Sequence, residues 1–194
     1  MNIISNSCVG ANIMRDRLKC PYNNPFCWCL VDFNSMYNLI TNWDTINFDK
    51  IELIPLPGKD ICAILIDGKV LIRYVHYHRS VKDLKIRKSD VEIYYCKIED
   101  YVLSSYKRRL ARMRSENKPP IFVIGSSWWT GEFTQEEIEK FLQIDTKYQI
   151  VIIGKERDTK RKNVLFVECK VKNNNGPIAK DVYDKLMEVN HGNN

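Results

Sequence analysis

The chain has 194 residues, of which 44% are hydrophobic and 28% are charged, and its formal net charge is +6. This apolar content suffices for a folded core, so the composition excludes a disordered chain. No window approaches the roughly 20 apolar residues of a transmembrane helix, and the start of the chain lacks the pattern of a signal peptide. We therefore expect a cytoplasmic protein without a membrane span, whose seven cysteines stay as thiols.

The first part of the chain combines short strands and helices. The apolar run FCWCLV predicts a buried strand with Cys27 and Cys29 on one face. Asp32 is positioned to cap an amphipathic helix. The Asp67-Gly68 pair between two apolar runs predicts a hairpin. The predicted strands lie at 2–5, 26–31, 51–55 and 61–67, and GKVLIRYVHYH at 68–78 is the strand after the hairpin turn. The predicted helices lie at 10–19 and after Asp32, and 79–90 is a loop or a short exposed helix.

The later part has a different pattern. Continuous apolar strands separated by a helix are typical of a βαβ unit with a parallel sheet. Thr134 and Glu137 form a capping box. The predicted helices lie at 97–115, after Thr134 and from Pro177, and the strands lie at 121–125, 149–154 and 164–168. The sequence thus predicts an α/β fold with a mixed sheet in the N-terminal part (1–118) and a parallel sheet in the C-terminal part (119–194), as two closely packed subdomains.

The helix at 97–115 has an apolar stripe and a basic face. Guanidinium groups such as those of Arg108 and Arg109 bind phosphate through planar forks, but a solvated basic face is an equally open interpretation. The basic residues of this helix are Lys107, Arg108, Arg109, Arg112 and Arg114.

Four segments together resemble a bacterial family described as exopolysaccharide biosynthesis proteins, whose activity is not established. They are SNSCVGA at 5–11, YNNPF at 22–26, VHYHRS at 75–80 and SYKRRLARM at 105–113, and their order along the chain is that of the family. The resemblance covers roughly residues 3–153. It implies an α/β fold with two unlike subdomains and a polysaccharide setting.

The chain also departs from the family pattern. Val9 and Ala11 replace a tryptophan and a glycine of the first motif, and the segment 85–100 resembles an insertion. Family members carry an Asp-containing turn after the strand at 121–125, whereas here Glu132 is the only acid in SSWWTGEFT. If that turn holds catalytic groups in the family, this chain has altered or lost that chemistry.

The stretch between the first strand and helix is the first candidate site. Ser5, Asn6 and Gly10 belong to a turn whose amides and hydroxyls suit an anion such as phosphate. The alternative is a capping turn that satisfies the first amides of the helix. Cys8 is either a nucleophile beside the helix terminus or a buried thiol.

Histidines and aromatic residues supply the other candidates. His76 and His78 share a strand face, which suits acid–base chemistry or simply an exposed strand. The resemblance favours His76, together with Tyr77 of its His-Tyr motif. Trp128 and Trp129 follow a strand and are candidates for stacking on a sugar, unless one of them fills the core. No metal site is predicted, because no carboxylate accompanies the histidines and the cysteine spacing is not that of zinc knuckles.

Taken together, these residues predict a protein that acts on an anionic sugar, either a phosphorylated sugar or a nucleotide-sugar, in exopolysaccharide or surface-glycan synthesis, with a transferase as the favoured activity. His76 or Glu132 would move the proton. Ser5, Asn6, Gly10, Tyr77, Arg108, Arg109, Trp128 and Trp129 would bind the substrate. The alternative is a non-catalytic module that binds a glycan or a protein, whereas nucleic acid is disfavoured because no recognised motif accompanies the charge. The sequence defines neither a cofactor nor the oligomeric state.

Overall fold

The computed structural model describes residues 1–19, 24–55, 62–74, 91–126, 132–155, 157, 159, 161–169 and 175–192. It confirms the α/β fold, with a parallel sheet and a separate antiparallel sheet. The strands are β1 (Asn2–Ser5), β2 (Cys29–Val31), β3 (Ile51–Pro55), β4 (Cys62–Ile66), β5 (Val70–Tyr74), β6 (Pro120–Gly125), β7 (Gln149–Ile153) and β8 (Val164–Val167). The helices are α1 (Cys8–Asn12), a π-helical segment (Ile13–Arg17), α2 (Phe33–Thr41), α3 (Val91–Glu116), α4 (Gln135–Leu142) and α5 (Asn175–Gly192).

The parallel sheet has the strand order β1-β6-β7-β8 and is buried on both faces. Successive side chains of a strand point to opposite faces, so Ile3 and Val123 join one core, while Ile4 and Phe122 join the other. The first core includes residues of α1 and α5. The second includes residues of α2, α3, α4 and the antiparallel sheet. This double burial explains why these strands have continuous apolar sequences.

The antiparallel sheet has the order β2-β5-β4-β3. The predicted hairpin between β4 and β5 is confirmed: Asp67 and Gly68 adopt φ values of 49° and 67°. The Lys69 N–H closes the turn by donating to the Ile66 carbonyl at 2.9 Å. Asp and Gly tolerate this left-handed conformation better than bulkier residues do, so the dipeptide determines where the chain reverses.

The first strand pairs far along the chain. β1 runs parallel to β6, with Asn2 opposite Pro120, so the parallel sheet takes strands from both sides of residue 118. The N-terminal sheet is therefore wholly antiparallel rather than mixed. At the outer edge of β1, the Asn24 side-chain amide donates to the Ile3 carbonyl at 3.0 Å. This contact occupies a backbone group that an edge strand would otherwise expose.

The helix caps follow the sequence prediction. An Asp32 carboxylate oxygen accepts from the Ser35 N–H at 2.7 Å at the start of α2. The capping box of α4 is confirmed, with the Glu137 N–H donating to the Thr134 hydroxyl and the Thr134 N–H donating to the Glu137 carboxylate.

None of the described helices combines the length and the apolarity needed to cross a bilayer.

The prediction of a strand over 26–31 is wrong in its first half. Residues 25–28 form a turn and β2 covers only Cys29–Val31. Trp28 adopts a φ of 63°, which is a left-handed conformation that breaks the side-chain alternation of a strand. As a result Cys27 and Cys29 belong to different cores, contrary to the prediction of one shared face.

Candidate functional site

The carboxyl ends of three parallel strands lie side by side. In the register of the sheet, Ser5 is opposite Val123, and Gly125 is opposite Ile153. The segments that follow β1, β6 and β7 therefore start at one edge, although they are far apart in sequence. Open α/β sheets bind their ligands outside this edge, so we take it as the candidate site and call it the carboxyl edge.

Asn6 holds the carboxyl edge together. Its side-chain amide donates to the Gly125 carbonyl at 2.8 Å, and the Gly125 N–H donates to its side-chain oxygen at 3.2 Å. Its own N–H donates to the Val123 carbonyl, and its carbonyl accepts from the Val31 N–H, both at 3.2 Å. Asn6 is fully buried, so in this structure it links β1 to β6 and to β2. Its predicted contact with substrate stays a prediction.

Ser5, Ser7 and Gly10 have local structural partners. The Ser5 hydroxyl accepts from the Ser7 N–H at 3.3 Å, and the Ser7 hydroxyl accepts from the Val9 N–H at 3.4 Å as the N-cap of α1. Gly10 faces Ser5 at a distance that leaves no room for a Cβ atom. The polar residues after β1 thus form a capping turn, and the glycine allows the helix to approach the strand.

Cys8 is the first residue of α1 and is partly exposed. Burial raises the pKa of its thiol above the ordinary value, because a thiolate is poorly solvated there. The sulfur is therefore protonated at neutral pH. This favours the buried-thiol interpretation over the nucleophile.

The described residues on either side of segment 127–131 contact each other next to β6. The Ser126 hydroxyl accepts from the Phe133 N–H at 2.8 Å. The Phe133 ring stacks on Phe33 of α2, with the ring centroids 4.8 Å apart. This stacking fixes the position of Phe133. Trp128 and Trp129, predicted to contact sugar, lie outside the described residues.

Two opposite charges lie on the segments that leave this edge. Glu132 and Lys155 are both exposed, and neither has an ion-pair partner among the described residues. Lys155 follows Gly154, whose N–H donates to the Val167 carbonyl at 3.0 Å and continues the sheet. An ammonium group can hold a phosphate, and a carboxylate can accept a hydroxyl proton. Lys155 is not among the candidate site residues predicted from the sequence, because it lies in a charged turn. Its position just after a predicted parallel strand could have indicated it, since ligands bind at that end of such strands.

The two neighbouring arginines of α3 differ in environment. Arg109 is only 5% exposed, and its guanidinium donates to the Cys27 carbonyl at 2.8 Å. Arg109 therefore supports the 24–28 turn in this structure. Arg108 and its neighbours Lys107 and Arg112 are exposed, so a solvent-borne anion can reach them.

The strand that leads to the His-Tyr motif ends near the same turn. Tyr74, the last residue of β5, is opposite Cys29, two residues from the Cys27 carbonyl that Arg109 contacts. His76 and Tyr77 lie outside the described residues. The described residues thus form two groups: the Ser5–Gly10 turn and the Ser126–Phe133 contact lie at the carboxyl edge, whereas Arg109 and the end of β5 lie at the 24–29 segment.

Trp28 is a feature of this second group that the sequence did not reveal. It combines its left-handed backbone with a cation–π contact, in which the Arg15 guanidinium carbon lies 5.2 Å from the ring centroid. Such conformations are costly for a bulky residue and persist where the surroundings enforce them.

Among the described residues, no three His, Cys, Asp or Glu side chains converge as a metal site would require.

Comparison with known proteins does not assign a family. A scan against protein-family models and a search of curated proteins both gave no match. The resemblance to exopolysaccharide biosynthesis proteins therefore stays a prediction.

Proposed function

We propose that the carboxyl edge binds a phosphorylated sugar or a nucleotide-sugar, and that the protein is a transferase of exopolysaccharide or surface-glycan synthesis. One observation carries the proposal. The parallel register brings the Ser5–Gly10 turn, Ser126 with its hydrogen bond from Phe133, and Lys155 to one edge. Lys155 supplies a cation at this edge, and Trp128 and Trp129 are the aromatic residues of the proposal; a cation and aromatic rings are a suitable set for an anionic sugar.

Each group has a role in this proposal. Lys155 and the exposed basic face of α3 attract the phosphate, and Trp128 and Trp129 stack on the sugar ring. Glu132 takes the proton of an acceptor hydroxyl as that oxygen bonds to the anomeric carbon. The bond from the anomeric carbon to the phosphate oxygen breaks, and the nucleoside diphosphate leaves with its electron pair. His76 is the alternative proton acceptor.

Binding is tested by calorimetry and thermal unfolding with UDP-glucose, GDP-mannose and glucose 1-phosphate. A ligand that binds only the folded state raises the melting temperature. We expect Lys155→Ala and Trp129→Ala each to weaken binding about tenfold for whichever of these ligands binds the parent chain. A tenfold loss corresponds to one lost charge-assisted or stacking contact. Lys118→Ala is the matched control, because Lys118 is an exposed lysine that pairs with Glu116. Equal affinities of all three variants and the parent chain would contradict the proposal.

A second candidate is a glycan-binding module without catalysis. It is favoured by the single acidic residue, Glu132, in the sequence SSWWTGEFT after β6, because few carboxylates are then available for acid–base chemistry. Glu132→Gln separates the two candidates. A transferase would lose turnover of the bound nucleotide-sugar while keeping its affinity, whereas a binding module would show the same affinity and no turnover in either protein.

A further inference from the structure

A groove of about 230 Å³ lies at the opposite end of β7, between the C-terminal end of α2 and the loop that enters β7. We propose that this groove binds one neutral sugar residue of a glycan, at a site separate from the carboxyl edge. Its lining combines threonine hydroxyls with aromatic, acidic and basic side chains, among them Trp43, Tyr148, Asp44, Asp145 and Lys147.

Asp44 is held in a fixed orientation on one side of the groove. The Tyr148 hydroxyl donates to one carboxylate oxygen, and the Lys147 ammonium lies 3.1 Å from the other. The hydrogen bond from Tyr148, followed by that from Lys147, lowers the pKa of Asp44. The carboxylate is therefore ionised at neutral pH, and its remaining lone pairs can accept from sugar hydroxyls.

Further acceptors face the same space. Asp145 is exposed and has no hydrogen-bond or ionic partner in the part of the chain that the structure describes. The Thr41 hydroxyl donates to the Tyr37 carbonyl at 2.9 Å, and the Thr45 hydroxyl donates to the Asn42 carbonyl at 3.2 Å. A hydroxyl has two acceptor lone pairs besides its proton. The Thr41 hydroxyl uses one of them to accept from the Asn42 side-chain amide at 3.0 Å, so both threonines can still accept. A ring of sugar hydroxyls supplies the matching donors.

The charge of the groove selects against anions. Asp44 and Asp145 face a single ammonium group, that of Lys147, so the lining has an excess negative charge. Phosphate and nucleotide groups are repelled there, whereas a neutral polyol is not. The charge at the carboxyl edge has the opposite role, because Lys155 is a cation there without an ion-pair partner among the described residues.

The size and the aromatic wall fit a single ring. Pockets for drug-sized ligands range from about 300 to 1,000 Å³, so a groove of about 230 Å³ suits a smaller molecule. Trp43 is partly buried, and its ring is held by edge contacts to Phe48 and Phe122, with centroids 5.1 and 5.5 Å apart. A rigid aromatic side chain offers apolar area to a sugar at a small cost in side-chain entropy.

The two sites are independent of each other. β7 has five residues, so its ends are about 13 Å apart at ~3.3 Å per residue. A sugar in the groove therefore cannot also lie at the carboxyl edge. The inference does not rest on the proposed transferase, since a glycan-binding groove would serve either candidate function.

The test is an amide NMR titration of the ¹⁵N-labelled full chain with D-glucose, D-galactose and N-acetyl-D-glucosamine, each to about 100 mM because single sugars bind weakly. We expect at least one sugar to shift the signals of residues 41–45 and 145–148, and Asp145→Ala to weaken that binding about tenfold. Asp100→Ala, which removes an exposed acid of α3, should leave the titration unchanged.

Three results would overturn the inference: no sugar shifts these signals, Asp145→Ala binds as well as the parent chain, or inorganic phosphate shifts the same signals as strongly. The proposed transferase is read out separately in the same spectra. UDP-glucose should shift the signals of residues 5–8, 126 and 154–155 instead, so either site can fail while the other stands.

Discussion

Gly10 packs against Ser5 so closely that a Cβ atom on Gly10 would lie 2.8 Å from the Ser5 Cβ atom and 3.2 Å from the Ile3 Cγ2 atom. Real Cβ atoms essentially never lie within 3.0 Å of a non-bonded heavy atom, so Gly10→Ala must move α1 away from β1. We expect this change to lower the free energy of unfolding by about 1–3 kcal/mol, as overpacking of a core does. Denaturant unfolding at neutral pH measures it.

Gly154→Ala is the control for that measurement. A Cβ atom at Gly154 would have no neighbour within 4 Å, and alanine reduces the entropy of the unfolded chain. This change should be neutral or slightly stabilising. If the two glycine variants lost equal stability, the close contact at Gly10 would not be the cause.

Arg109 and Arg108 form a second matched pair. Arg109→Ala removes a buried side chain and its hydrogen bond to the Cys27 carbonyl, so we expect a loss of about 2–4 kcal/mol in the free energy of unfolding. Arg108→Ala removes an exposed side chain and should change stability by no more than about 0.5 kcal/mol. Thermal and denaturant unfolding measure both. A stable Arg109→Ala protein with weakened UDP-glucose binding would instead assign Arg109 to ligand binding.

The stability of the protein should depend on pH through Asp44. Its pKa is lowered in the folded state, chiefly by the hydrogen bond from Tyr148. The ionised Asp44 carboxylate therefore contributes fully to the free energy of unfolding above its unfolded pKa of about 3.9. This contribution is lost as the pH falls through the lower pKa of the folded state. Tyr148→Phe removes this bond, so the variant should be less stable at pH 7 and lose less stability between neutral and acid pH.

Tyr183→Phe serves as the control for this profile, because no described hydrogen bond involves the Tyr183 hydroxyl. Its pH profile should match that of the parent chain. If both phenylalanine variants followed the same curve, the Tyr148–Asp44 bond would have no role in acid unfolding.

The thiol groups should react slowly at neutral pH. Burial raises the pKa of Cys8, and burial with the nearby Asp181 carboxylate raises the pKa of Cys169 to about 11. Since only the thiolate reacts, iodoacetamide labelling of both should accelerate about tenfold per pH unit up to pH 9. Mass spectrometry of the labelled peptides follows each site, and Cys8→Ser identifies its signal. A labelling rate for Cys8 that is already constant above pH 7 would restore the nucleophile interpretation.

Local features of this fold could be predicted from sequence, whereas long-range pairing could not. The Asp32 cap and the Asp67-Gly68 turn depend on residues within a few positions, so short patterns identify them. The pairing of β1 with β6 depends on a contact between residues such as Asn2 and Pro120. No periodicity within either strand specifies its partner.

The candidate site shows the same division. Helical periodicity places residue 109 beside the buried positions Val102, Tyr106 and Met113, so the burial of Arg109 could have been inferred from the pattern. Its partner, the Cys27 carbonyl, could not, because it depends on the left-handed conformation of Trp28. Bulky residues rarely adopt that conformation, so no sequence rule anticipates it.

The position of β1 also determines the order in which the protein can assemble during translation. β1 pairs with β6, but it emerges from the ribosome long before its partner Pro120–Gly125 is made. β1 must therefore wait for its partner. At about 5–20 residues per second, this delay is roughly 6–24 s. The antiparallel sheet, whose strands lie between residues 29 and 74, can form in that interval, while β1 has an exposed edge that a chaperone or another nascent chain can contact. Protease protection of ribosome-bound chains that end before and after β6 would show this order directly, since β1 should become protected only in the longer chains.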